Sequence, residues 1–152
     1  MDRILMFIAT GAYSGYLPKA PGTWGSAVGV LIWLCIGRMA LLPFLALVTV
    51  LFFVGIISGG AAEKIIDRVD PRPVVIDEIV GQLIALTAAP LHPVPILLSF
   101  LLFRFFDILK PFPANWIDRH LCGGWGIMLD DVVAGLYAWL VLQLGLRLYG
   151  GF

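Results

Sequence analysis

Six of the ten acidic residues stand at four points where a strongly apolar stretch begins or ends: Asp77 with Glu78, Asp107, Asp118, and Asp130 with Asp131. An ionised carboxylate beside hydrocarbon loses hydration that only a cation can replace, so acids in these places point to a site. They are hard oxygen donors with no Cys or His cluster beside them, a set suited to Mg²⁺ rather than zinc. Magnesium keeps several waters and bridges carboxylates to a substrate phosphate. With Lys19, Arg104 and Lys110 supplying positive charge nearby, the residues describe a phosphate-handling site. Lys110 is the most constrained of the three, because Pro111 and Pro113 stiffen its loop beside Asp107.

Plainer explanations exist for each part. Asp77-Glu78 and Asp130-Asp131 are each expected to open an apolar helix, where free N–H groups and the helix dipole favour negative charge, so N-capping accounts for either pair alone. Adjacent residues on a helix point about 100° apart, which lets one acid cap while its neighbour faces a metal. A basic residue taken singly reads as a snorkelling or topology-setting side chain. Capping weakens as an explanation once two pairs and Asp107 are taken together.

The segment from Thr10 to Ser26 concentrates glycine, proline, hydroxyls and Lys19 ahead of a helix. Such a loop can cradle phosphate at the helix N-terminus, although it lacks the G-K-[ST] of a Walker A loop. Two short internal echoes point to facing half-sites. V-I-D-E-I-V-G at Val75 to Gly81 is similar to M-L-D-D-V-V-A-G at Met128 to Gly135, and L-P-K-A-P-G-T-W at Leu17 to Trp24 to L-K-P-F-P-A-N-W at Leu109 to Trp116.

The elements that must carry these residues are hydrophobic helices. The 152-residue chain is 61% hydrophobic and only 13% charged, against about 25% charged in ordinary soluble domains. Apolar segments run from Trp24 to Gly37, Met39 to Ala62, Ile79 to Leu91, Val94 to Ile108 and Ile127 to Tyr149. The expectation is an all-α, polytopic membrane bundle of about five helices, a single domain over residues 1–152, preceded by a short interfacial helix at Asp2 to Ala9. About 20 residues are needed to cross hydrocarbon, so the second and fifth segments qualify easily while the third and fourth are short. His92 to Pro95 reads as a turn between the third and fourth. Glycines such as Gly29, Gly55, Gly81 and Gly135 permit close helix contact.

With a cytoplasmic N-terminus, five crossings place Arg3, Lys19, Lys64, Arg68, Arg72, Arg104, Lys110 and Arg119 inside, and only Arg38 and Arg147 outside. The same arrangement collects the six acids on the cytoplasmic side. The first ten residues are too short for a secretory signal and read as mature protein. Two cysteines, Cys35 and Cys122, are too sparse for a disulfide scaffold or zinc cluster. Zero formal net charge gives no support to nucleic-acid binding.

Four blocks closely resemble the phosphatidylglycerophosphatase A family: L-P-K-A-P-G-T-W-G-S (Leu17 to Ser26), V-I-D-E-I-V-G (Val75 to Gly81), F-R-F-F-D-I-L-K-P-F-P (Phe103 to Pro113) and G-G-W-G-I-M-L-D-D-V-V-A-G (Gly123 to Gly135). The resemblance implies a Mg²⁺-dependent enzyme of the bacterial inner membrane, with its site facing the cytoplasm, that converts phosphatidylglycerophosphate to phosphatidylglycerol. It also implies that Asp77, Glu78, Asp107, Asp130 and Asp131 are the metal and catalytic acids, and that Lys19, Thr23, Arg104 and Lys110 handle substrate phosphate. Magnesium-assisted water attack, with Asp107 or Glu78 as base and Lys110 aiding catalysis, is the favoured mechanism; an aspartyl-phosphate route is the competitor. Homo-oligomerisation is left open.

Two other readings compete with this one. Lys64 with Arg72-Pro73 partly resembles the first motif of type 2 phosphatidic acid phosphatases, but the spacing is one residue too long. Neither His92 nor His120 stands in the context that family needs. A small ion channel or transporter also uses acids in short membrane helices, though near the midplane rather than gathered at one face.

Overall fold

Prolines set two of the helix starts. Pro21 and Pro93 each open a helix, where the missing N–H has no intrahelical partner to lose. The computed structural model describes residues 1–148, so Tyr149, the last residue of the fifth apolar segment, lies outside them. Seven α-helices and one 3₁₀ turn (Ser14–Tyr16) make up the described residues, with no strand among them. They are α1 (Asp2–Ala9), α2 (Pro21–Ile36), α3 (Leu41–Ile66), α4 (Ile76–Ala85), α5 (Pro93–Leu109), α6 (Ala114–His120) and α7 (Gly123–Leu148).

The all-α expectation holds, but the expected count of five crossings is not reached by helix length. Among the described residues only α3 and α7, 26 residues each, are long and apolar enough to cross a membrane. The third apolar segment forms a helix of just ten residues, α4, which rises about 15 Å, half of a hydrocarbon core of about 30 Å. The residues from Leu86 to Leu91, read as its continuation, form turn and irregular backbone instead. α6 falls in a stretch with no apolar segment.

The short helix is the centre of the molecule. Eight of the ten α4 residues are buried, consistent with a helix covered on all sides. α4 packs most extensively on α7 and α2 and also touches α3 and α5. Its start is tied down by the Val75 N–H, which donates to the Ala9 carbonyl at the end of α1 (2.9 Å). A buried bond from Gln82 Nε2 to Ser99 Oγ (3.1 Å) joins it to α5. By contrast α3 is mostly peripheral, and Leu42, Val50, Phe53 and Ile57 project outward from it.

Close packing of α4 on α7 depends on two glycines. A Cβ built on Gly135 would lie 2.5 Å from the Gly81 carbonyl oxygen, and one on Gly81 would lie 2.8 Å from the Asp131 carbonyl oxygen. Any side chain at either position would force the helices apart.

Candidate active site

A cavity of about 400 Å³ opens where the N-termini of α2 and α4 meet the first half of α7. Eight carboxylates line it, from Glu63, Asp70, Asp77, Glu78, Asp107, Asp118, Asp130 and Asp131, against two basic residues, Arg72 and Lys110. Asp77, Asp130 and Asp131 are buried.

Three of the acids converge. Asp77, Glu78 and Asp131 each offer an oxygen, and these oxygens lie within 4.8 Å of one another. Asp77 Oδ1, Glu78 Oε2 and Asp131 Oδ2 are buried and have no hydrogen-bond partner, a condition costly for carboxylates unless a cation completes the group. Burial pushes the Asp77 carboxyl well above its ordinary value, and the neighbouring Glu78 adds to the effect. Burial likewise raises Glu78, to about 8; a hydrogen bond with Asp77 opposes the shift, while Asp131 and Asp107 reinforce it. The donor set, its convergence and its orphaned oxygens all fit a hard divalent cation.

The capping explanation does not account for these acids. Val75 is the N-cap of α4 and makes no side-chain cap bond; Asp77 and Glu78 lie in the first turn, inside the helix. Asp130 and Asp131 do not open a helix, as expected from the sequence, but are the eighth and ninth residues of α7. The glycine-rich stretch Gly123 to Gly126, ahead of the expected apolar segment, is already helical because it packs closely: a Cβ on Gly124 would strike the Ile56 carbonyl of α3.

Of the other lining acids, Asp107, Asp118 and Asp130 have cationic partners, while the Glu63 carboxylate accepts the Asp70 N–H. Arg104 Nη1 contacts Asp107 Oδ2 at 2.5 Å and donates to Ser26 Oγ at 3.4 Å. Lys110 Nζ donates to Asp130 Oδ2 at 2.7 Å and to Asp118 Oδ1 at 2.5 Å. Burial would lower the Lys110 pKa, but the hydrogen bonds to Asp118 and Asp130 outweigh it and hold the ammonium above its ordinary value. Asp130 and Asp131 therefore serve different neighbours although they are adjacent, as their angular separation on a helix allows.

The N-terminus of α2 closes one wall through Ala20, Pro21 and Gly22. A Cβ on Gly22 would lie 2.2 Å from Glu78 Oε1 and 2.8 Å from Arg104 Nη1, so only glycine lets the backbone approach them. Lys19 and Thr23, from the same motif, do not line the cavity; Lys19 is exposed at φ +59°. Arg104 stands behind the wall and acts on the cavity through Asp107. His92 and His120 are not among the lining residues, and His120 stacks on Trp116. Glu63, Asp70 and Arg72 do line it, and sequence reasoning gave them no place in the site. Arg72 drew notice only through the rival phosphatidic acid phosphatase motif, and the other signal was the turn Asp70 to Pro73, which leads into V-I-D-E.

Comparison with known proteins places these residues in context. The family described as phosphatidylglycerophosphatase A matches residues 7–146. The chain is 40% identical over 137 residues to a phosphatidylglycerophosphatase A of Haemophilus influenzae, covering 89% of this chain and 84% of that protein. It is 36% identical over 134 residues to the Escherichia coli K12 protein of the same name, covering 85% and 76%. A Bacteroides thetaiotaomicron protein provisionally named as a phosphatidylinositol-3-phosphatase is 38% identical over 149 residues, covering 91% of each. No solved structure matches.

Proposed function

This chain belongs to the phosphatidylglycerophosphatase A family and is a phosphatase, and from that premise we propose that it hydrolyses phosphatidylglycerophosphate to phosphatidylglycerol and inorganic phosphate, with Mg²⁺ held by Asp77, Glu78 and Asp131. The observation that carries the proposal is the convergence of Asp77, Glu78 and Asp131 in one cavity, each of which also has a buried oxygen without a hydrogen-bond partner. When bound, Mg²⁺ supplies positive charge to the phosphoryl oxygens and an acidified water.

The protein's own residues then divide the work. Asp107 stands outside the convergent trio and is oriented by Arg104, which suits it to accept a proton from the attacking water. As the phosphorus–oxygen ester bond breaks, the glycerol oxygen leaves and is protonated from solvent. Lys110 holds its proton too firmly to act as an acid, so its part is electrostatic: a fixed ammonium against the charge on the phosphoryl oxygens. Asp118 and Asp130 aim that ammonium. The backbone at the start of α2 adds N–H groups and a helix dipole suited to an anion.

In this proposal α3 and α7 cross the bacterial inner membrane and the cavity faces the cytoplasm, as the basic residues between the two spans, Arg68, Arg72, Arg104, Lys110 and Arg119, favour. The outward apolar side chains of α3 support a lipid environment. An ion pathway is not favoured, because the acids share one cavity with a helix N-terminus and a fixed lysine.

The phosphatidylinositol-3-phosphatase name of one relative motivates a second substrate. Both substrates carry a phosphomonoester on a polyol that a phosphodiester joins to the lipid, so one site chemistry serves either. Purified protein in detergent is tested for phosphate release from each lipid, with Mg²⁺ and with chelator. Mg²⁺-dependent release faster from phosphatidylglycerophosphate is expected; faster release from the inositol lipid would select the second reading, and none from either would overturn both.

A further inference from the structure

Of the two basic residues that line the cavity, Lys110 is engaged by two carboxylates, whereas Arg72 makes no hydrogen bond or ion pair among the described residues. Eight acids share the cavity with it, and none pairs with its guanidinium. Even Glu63 turns elsewhere, its carboxylate accepting the Asp70 N–H at 3.0 Å. Arg72 is also exposed, while Asp77 and Asp131 are buried. It is therefore a solvent-facing member of the cavity lining.

We propose that Arg72 is a specificity-determining residue that binds a second anionic group of the substrate, the phosphodiester that joins the headgroup to the lipid, while the phosphomonoester is held at the buried acids. The inference rests on the phosphatase reading above. A lipid with both groups brings two separated negative charges into a cavity with a large acidic excess. A cation held by Asp77, Glu78 and Asp131 would answer the monoester together with Lys110, and the diester needs a charge of its own. A guanidinium suits it, because its planar fork pairs with two phosphate oxygens at once. Pro71 and Pro73 on either side restrict the backbone that carries it.

The test uses the full-length protein in uncharged detergent micelles with two substrates: phosphatidylglycerophosphate, which has the diester, and phosphatidic acid, which has a monoester only. Arg72→Gln should raise KM for phosphatidylglycerophosphate by about tenfold or more, the range for a lost charge-assisted hydrogen bond. The efficiency on phosphatidic acid, or its inhibition constant if it is not turned over, should change at most about twofold. Arg72→Lys should recover part of the loss. Arg119→Gln, which removes an exposed charge outside the cavity, is the control for surface electrostatics and should leave both substrates unaffected. Equal losses on both substrates, or no change on either, would overturn the role of Arg72 while leaving the phosphatase intact. Wild-type protein without Mg²⁺-dependent phosphate release would instead overturn the phosphatase reading and this inference with it.

Discussion

Gly81 and Gly135 meet backbone to backbone where α4 crosses α7, and each lies four residues after an acid of the convergent trio, Asp77 on α4 and Asp131 on α7. Four residues are about one helical turn. The crossing therefore sets the register at which the two carboxylates face each other, and the echoed motifs V-I-D-E-I-V-G and M-L-D-D-V-V-A-G are two sides of one site.

Gly135→Ala should separate these acids. The added methyl meets the Gly81 carbonyl and should destabilise the fold by about 1–3 kcal/mol, with phosphate release reduced at least about tenfold, since misplacement by 1 Å can lose about 100-fold. Gly145→Ala, where a Cβ meets nothing within 4 Å, is the matched control. Thermal unfolding in detergent and initial rates report both effects, and a Gly135→Ala enzyme with wild-type turnover would remove the crossing from the account.

Asp131→Asn and Asp107→Asn should each abolish turnover without loss of fold, yet differ in cation response. The first removes an oxygen of the trio, so Mg²⁺ should no longer raise the unfolding temperature; the second leaves the trio intact, and the rise should persist. Equal Mg²⁺ stabilisation of both variants would show that Asp131 is not a ligand.

Cation affinity should depend on pH. Without a cation, Glu78 titrates near 8 instead of 4.5, so between these values the folded protein keeps a proton that the unfolded chain releases. Stability of the cation-free protein should accordingly fall as pH rises from 4.5 toward 8, and the raised Asp77 acts in the same direction. A cation must displace that proton, so its affinity should tighten between pH 6 and 8, by about tenfold per pH unit for each proton released. Calorimetric titration with Mg²⁺ in buffers of different ionisation enthalpy counts the protons, and a pH-independent affinity would contradict a protonated resting site.

Lys110→Met should expose the dependence of Asp130 on its partner. Losing one member of a largely buried ion pair costs about 3–5 kcal/mol at full burial, and less here because Lys110 is partly exposed. The double variant Lys110→Met with Asp130→Asn should regain most of the stability while staying inactive. Recovery of turnover along with stability would mean that Lys110 only neutralises Asp130.

Much of this protein follows from local pattern. Apolar runs without strand alternation dictate helices, Pro21 and Pro93 set where two of them start, and orphan acids beside hydrocarbon mark the site. Helix length was legible for α3, whose hydrophobic run has clear ends, but not for α4, because a helix buried inside the bundle and one that spans hydrocarbon are equally apolar. Tertiary structure alone decided the partners. Asp131 joins Asp77 and Glu78, its neighbour Asp130 turns to Lys110, Asp107 goes to Arg104, and Lys19 faces outward although its motif lines the cavity. Sequence sets the face of a helix on which a side chain lies, through the 3.6-residue repeat. Which faces meet depends on helix crossings, and the one that matters here is set by contact between two glycines on different helices, which neither local segment contains.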